Sequence, residues 1–293
     1  MRTTQPEKEH MAHKLFKLTQ KLYGTPHLVS QQGFSNITNY LTARNTNMML
    51  PMAPTEPVEA PDDLDDISGV GVIEVCGPLT NKESGWEAIC GGCSYEGILS
   101  QVDDMIEQGA TCIILNMDSP GGEAYGIFLA AEEMRKKCDA AGVSLIGYVD
   151  GCCASACYAL ACVCDEIVAN PFAEVGSIGV LIALTDCSKN MEQEGYKPVF
   201  VSAGSQKIPY AEDGSFRPEF LADLQTKVDS LYNAFAEHVS KFTGLSVEDI
   251  KATEARTFMA KDALAKGLVN QIMSNSEFVD YIVSKQMGGS TDA

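Results

Sequence analysis

From position 70 onward, short apolar runs alternate with stretches in which apolar residues recur every three or four positions. Runs of four to eight suit buried strands, and three-four spacing suits helices with one apolar face. The pattern predicts strands over 70–76, 112–117, 144–149, 166–169, 178–181 and 197–202. It predicts helices over 95–107, 123–140, 154–163, 186–194, 217–243, 246–251 and 260–266. Alternation of this kind stacks strands through right-handed crossovers, so the expected fold class is α/β. The longest helix carries Leu221, Leu224, Val228, Leu231, Phe235 and Phe242 on one stripe. His238 occupies a stripe position that would otherwise be apolar and reads as a core or interface histidine.

Upstream the pattern weakens. Two short helices are predicted over 11–18 and 34–41 in an N-terminal arm, residues 1–45. Residues 46–66 hold Pro51, Pro54, Pro57 and Pro61 with an acidic run from Glu56 to Asp66. That composition buries no core and reads as a linker. The α/β unit then spans 67–275, and 276–293 form a closing helix and polar tail.

Composition narrows the function classes. The chain has 293 residues and 45% apolar content, enough for a large core. Forty acidic against 21 basic side chains give a net charge of −19, which argues against nucleic acid and against anionic membrane surfaces. No apolar run approaches the ~18 residues of a membrane span, and the first ten residues lack a signal peptide's apolar core. The expected location is therefore the cytoplasm. Eleven cysteines, an odd number, fit reduced thiols better than a disulfide framework. Cys90-Gly91-Gly92-Cys93 has the spacing of half a zinc site, but Cys152, Cys153, Cys157, Cys162 and Cys164 do not repeat it. No metal and no cofactor are expected.

Candidate chemistry sits at two strand ends. Asp118-Ser119-Pro120-Gly121-Gly122 follows the apolar run 112–117, and such a turn frees backbone N–H groups and admits a second backbone closely. Ser155, in Gly151-Cys152-Cys153-Ala154-Ser155-Ala156-Cys157-Tyr158, stands at the start of a predicted small-residue helix, near its positive end. A serine and a glycine N–H pair together resemble a nucleophile with its oxyanion hole.

A serine needs a base. Of the four histidines, His10, His13 and His27 precede the linker, and His238 belongs to the long stripe. A lysine serves if desolvation lowers its pKa. Lys207, in Gly204-Ser205-Gln206-Lys207-Ile208-Pro209, follows the predicted strand 197–202 among small and apolar residues, and is the best candidate. Lys189 and Lys197 read as surface residues.

These segments, with Val175-Gly176-Ser177-Ile178-Gly179-Val180, resemble the signal peptide peptidase A family of serine proteases. Thr253-Glu254-Ala255-Arg256-Thr257-Phe258 and Ala263-x-x-x-Gly267-Leu268-Val269 are similar to its C-terminal signature. The resemblance implies the Clp protease/crotonase spiral of β-β-α units and a serine protease domain over 67–275. It implies Ser155 as nucleophile, Lys207 as general base and Ser177 holding the lysine. Gly121, Gly122 and the Ala156 N–H would face the oxyanion.

Within the family, His13-Lys14-Leu15 and Pro26-His27-Leu28-Val29 resemble the opening of phage head-maturation proteases. That implies scaffold, capsid or portal proteins as substrates, a homo-oligomer, no nucleic-acid or membrane partner, and action in the host cytoplasm or an immature phage head. A cytosolic signal-peptide-peptidase-like protease, a crotonase-type coenzyme-A enzyme and an inactive scaffold protein remain the alternatives. Cys152, Cys153 and Cys157 depart from the small non-thiol residues expected around the nucleophile.

Overall fold

The computed structural model describes residues 23–45, 64, 67–82 and 92–288. The predicted helix over 11–18, His10, His13 and all of the linker except Leu64 lie outside these residues. The chain begins with β1 (Pro26–Val29), α1 (Gln31–Asn45), β2 (Val70–Cys76), α2 (Tyr95–Glu107), β3 (Cys112–Ser119) and β4 (Gly121–Glu123). It continues through α3 (Ile127–Ala141), β5 (Ser144–Ala154), α4 (Ala156–Ala161), β6 (Glu166–Ala169), β7 (Glu174–Gly176) and β8 (Leu181–Ile182). It closes with α5 (Ser188–Gln193), α6 (Pro218–Thr243), α7 (Val247–Lys251), β9 (Thr257–Met259), α8 (Ala260–Ala265), β10 (Gln271–Ile272) and α9 (Asn275–Gly288).

The main sheet is parallel along its path, in the order β10-β6-β5-β3-β2. Its central strands read as near-continuous apolar runs because both faces are covered. Ile113, Leu115 and Met117 of β3 and Leu145 and Val149 of β5 enter the larger core with α2 and α3. Their alternates Cys112, Ile114, Ile146 and Tyr148 face the other way, onto Phe278 and Ile282 of α9. Tyr148 stacks on Phe278 at 4.2 Å and donates to Asn275 Oδ1 at 2.6 Å. Glu166 of β6 holds the same helix by accepting from Tyr281 and Lys285. Each fully buried aliphatic side chain in these layers contributes about 1.5–3 kcal/mol. Leu64, at the end of the predicted linker, is also fully buried, within the α9 layer.

Five expectations need correction. The strand predicted over 178–181 is displaced to Leu181–Ile182, because that is where β8 meets its partner β1, and residues 178–180 lie outside any strand. The helix predicted over 123–140 starts at Ile127, because β4 continues past the glycine pair and Gly126 turns left-handed with φ 88°. The one predicted over 154–163 shrinks to Ala156–Ala161, since Ala154 ends β5. Residues 197–202 form no strand: they are unpaired, with Val199 82% and Val201 96% exposed. The arm does not stand apart from the α/β unit, because β1 pairs antiparallel with β4 on one side and β8 on the other.

The long helix forms nearly as predicted, but only its second half is buried. Phe235, Ala236, His238 and Val239 are covered, whereas Leu221 is 44% exposed. His238 joins an aromatic cluster with Phe128, Phe235 and Phe242, and its Nε2 hydrogen-bonds the Ala159 carbonyl at 3.0 Å. Burial lowers its pKa, so the ring is neutral in the core.

Candidate active site

Ser155 is fixed by the central strand. β5 runs straight into it, and β7 pairs beside β5 with Cys153 opposite Val175 and Ala154 opposite Gly176. The Ser155 N–H donates to the Gly176 carbonyl at 2.8 Å. This holds Ser155 at φ 59°, ψ −114°, a conformation that costs a non-glycine residue about 1–3 kcal/mol. Its side chain is fully buried, and its hydroxyl donates to the Gly179 carbonyl at 3.5 Å.

All four non-glycine residues with positive φ among the described residues gather here: Ser155, Ser177, Glu254 and Ala255. The Ser177 N–H donates to the Arg256 carbonyl at 2.9 Å, and β9 pairs antiparallel with β7, so the 253–256 turn backs the 176–179 segment. A Cβ on Gly179 would lie 2.6 Å from the Ala255 Cβ, so a side chain there would force the two turns apart. The 253–258 signature therefore braces the loop that fixes Ser155.

The glycine pair is built from the other side. Ser119 Oγ donates to the Gly77 carbonyl at 2.6 Å and accepts from the Gly121 N–H at 3.2 Å. The Leu79 N–H donates to the Gly121 carbonyl at 3.0 Å, and the Glu123 N–H to the Leu79 carbonyl at 2.9 Å. Both glycines are required. A Cβ on Gly122 would collide with the Leu79 backbone, and one on Gly121 would approach Ser155 Cβ at 2.9 Å. The Asp118 carboxylate accepts from the Cys152 N–H at 3.0 Å and ties the two strand ends together; burial raises its pKa. Ser119, Leu79, Asp118 and Gly179 were not singled out from the sequence. Ser119 and Asp118 lay inside the quoted motif, but their roles depend on long-range partners that a motif does not display.

Ser155, Gly121, Gly122 and Ala156 therefore share one locality, where Ala156 opens α4 with its N–H free of any intrahelical acceptor. The Gly121 N–H is already given to Ser119 Oγ, which leaves the Gly122 and Ala156 N–H groups as the donors that such a locality could offer to a carbonyl oxygen gaining negative charge. Ser177 lies one residue past the Gly176 that binds the Ser155 N–H. Lys207 is not brought in. It is exposed, in the loop between α5 and α6, and makes no hydrogen bond to Ser155 or Ser177. Burial raises the thiols of Cys152, to about 12, and Cys153, so neither supplies a thiolate at neutral pH. Cys187, at the start of α5, is the one exposed thiol among the described cysteines. No described helix is long and apolar enough to cross a membrane.

Known proteins give this geometry a context. The chain is 26% identical over 219 residues to the head-tail preconnector protein GP5 of Enterobacteria phage P21, covering 74% of this chain and 43% of that protein. It is 25% identical over 264 residues to the capsid assembly protease C of Escherichia phage lambda, covering 86% of this chain and 58% of that one. A probable protease SohB of Buchnera aphidicola is 32% identical over 177 residues, 59% of this chain and 50% of that protein. The chain thus spans about half the length of the curated relatives it matches. The model of peptidase family S49 matches residues 137–286, a stretch that begins in α3, carries Ser155 and the strands bracing it, and ends within α9. The chain belongs to peptidase family S49.

Proposed function

We propose that this chain is a serine endopeptidase on the Clp protease/crotonase type of β-β-α spiral, with Ser155 as its nucleophile. The observation that carries this reading is the strained, buried Ser155 beside the Gly121-Gly122 turn. Ser155 attacks a peptide carbonyl, and the Gly122 and Ala156 N–H groups, with Gly121 shaping the turn, receive the oxyanion. Lys207 takes the serine proton and returns it to the leaving amine, with Ser177 orienting it; water then hydrolyses the acyl-enzyme. One oxyanion donor contributes about 3–4 kcal/mol to such a transition state.

The lysine reaches Ser155 by closure of the loop between α5 and α6, or from a second copy of the chain. Assembly is supported by the exposed apolar surface of that loop, Val199, Phe200 and Val201, and by the uncovered first half of α6. The names of the phage relatives, a capsid assembly protease and a head-tail preconnector protein, favour capsid-assembly proteins as substrates. For this chain the proposed substrates are scaffold, capsid or portal proteins, cut in the host cytoplasm or an immature head. The SohB relatives support a cellular protease as the second reading.

The test is co-expression with candidate capsid-assembly proteins, comparing the intact chain with Ser155→Ala by mass spectrometry. Cleavage that depends on Ser155 is expected. Equal cleavage by both proteins removes Ser155 from the mechanism, and no cleavage of any capsid component removes the phage substrates.

A further inference from the structure

A nucleophile that is fully buried cannot meet an external substrate until its cover leaves, and the Leu28 carbonyl of β1 lies against the same Gly121 that adjoins Ser155. β1 is antiparallel to β4, with His27 opposite Glu123, Leu28 opposite Gly122 and Val29 opposite Gly121. The Ser30 N–H donates to the Pro120 carbonyl at 2.7 Å, and the Ala124 N–H to the Pro26 carbonyl at 3.3 Å. Antiparallel ladders alternate bonded and non-bonded pairs, so Leu28 and Gly122, midway between these two bonds, form the mutually bonded pair. The Leu28 carbonyl therefore takes the Gly122 N–H that the proposed chemistry needs for its oxyanion. A Cβ on Gly121 would strike this same carbonyl oxygen while touching the Ser155 side chain, so carbonyl and nucleophile flank one glycine.

The opposite edge of β1 pairs with β8, His27 with Leu181 and Pro26 with Ile182. β4 and β8 are joined only through β1 in this small sheet. Without β1, the edges of β4 and β8 would face each other across a groove, one wall of which carries Gly121 beside the Ser155 side chain. Such edges bind an extended peptide through main-chain hydrogen bonds, with a pocket for alternate side chains. Leu28 fills that pocket, since it is fully buried and belongs to the main core.

We propose that β1 is a built-in occupant of the peptide groove, lying in the direction and register of a substrate with its Leu28 carbonyl at the Gly122 donor, so that any incoming extended peptide must displace it. The proposal rests on the proteolytic reading for what the groove does, and not for what fills it. An occupant on the same chain competes at high effective concentration. If it fills the groove about nine-tenths of the time, it weakens a competing peptide about tenfold.

The test uses the full chain and a fluorescent peptide with the sequence of residues 24–33. Leu28→Asp places an unpaired charge in the apolar pocket and expels the strand. A second variant, His27→Cys with Glu123→Cys, locks the strand in place. These residues form a non-hydrogen-bonded pair with Cα atoms about 4.5 Å apart, within disulfide reach. Peptide anisotropy should show binding to Leu28→Asp about tenfold tighter than to the unaltered chain. The oxidised lock, its linkage verified by mass spectrometry, should not bind until reduced. Equal binding by Leu28→Asp and the unaltered chain, or binding by the oxidised lock, overturns the proposal. Should Leu28→Asp fail to fold, the lock decides alone. A fluorophosphonate adduct on Ser155 is read in parallel, and should form faster in Leu28→Asp. Peptide binding without any Ser155 adduct upholds the occupied groove and defeats the proteolytic reading.

Discussion

The backbone N–H of Ser155 is tied to the carbonyl of Gly176 at 2.8 Å, and that bond keeps the serine in a conformation it would not adopt alone. Ser155→Ala should abolish peptide hydrolysis and leave the fold intact, because one oxygen is lost and the backbone geometry is unchanged. Ser155→Gly should be equally inactive yet more stable, by about 1 kcal/mol, since glycine tolerates positive φ. Urea denaturation of the two variants checks the difference. A glycine variant no more stable than the alanine variant would mean that the serine conformation stores no strain.

Gly122→Ala should be worse than an active-site knockout. Its Cβ would collide with the backbone of Leu79, leaving either the turn or the 78–80 segment to move. Overpacking of this kind costs about 1–3 kcal/mol. Loss of both activity and stability is expected, in contrast to Ser155→Ala, and thermal melts beside a peptide assay will show it.

Lys207→Arg should be nearly as inactive as Lys207→Ala. Arginine keeps the charge but cannot give up its proton near neutral pH. Near-normal turnover by Lys207→Arg would make the lysine an electrostatic partner and not a base. Val201→Asp tests how the lysine arrives. If a second copy covers this segment, sedimentation should show a smaller species with reduced activity.

His238 gives a pH signature. Burial depresses its pKa in the folded chain, so between the folded value and ~6.5 the unfolded chain binds the extra proton. Its contribution to stability is thus present above ~6.5 and lost as the pH falls through that window, at up to about 1.4 kcal/mol per pH unit. His238→Phe should flatten stability against pH between 6.5 and the acid limb, roughly the range one buried histidine governs. An unchanged profile would show that another group sets it.

Sequence pattern disclosed the parts of this molecule that depend on local order. The buried strands of the main sheet and the long helix are legible because both sheet faces are covered and because α6 repeats its apolar spacing from Leu221 to Phe242, about six turns. Ser155 and the glycine pair are legible as strand-end positions because each follows a buried apolar run; serine and glycine are common in turns and caps, so it is their proximity, visible only in the fold, that sets them apart. The apolar run 197–202 has strand composition, yet strand formation needs a partner edge, and among the described residues none pairs with it. β1 was hidden for the opposite reason: four residues carry too little periodicity, and their partners, such as Gly122 for Leu28 and Leu181 for His27, lie far along the chain, a separation no local pattern spans. The brace from Glu254 and Ala255 is invisible for the same reason, since positive φ at these residues is imposed by packing and not by composition.

The exposure of Cys187 makes this chain its own instrument. The other described cysteines are buried or half-buried, so a thiol-reactive dye applied to the folded protein should mark one position first, at the entry to α5. Gly214, in the loop that carries Lys207, lies against Ser188 next door, where a Cβ added to it would contact the Ser188 side chain at 3.6 Å. A dye at Cys187 therefore sits beside the loop that carries Lys207, and a change in its brightness on adding a peptide would report, without any mutation, whether that loop moves.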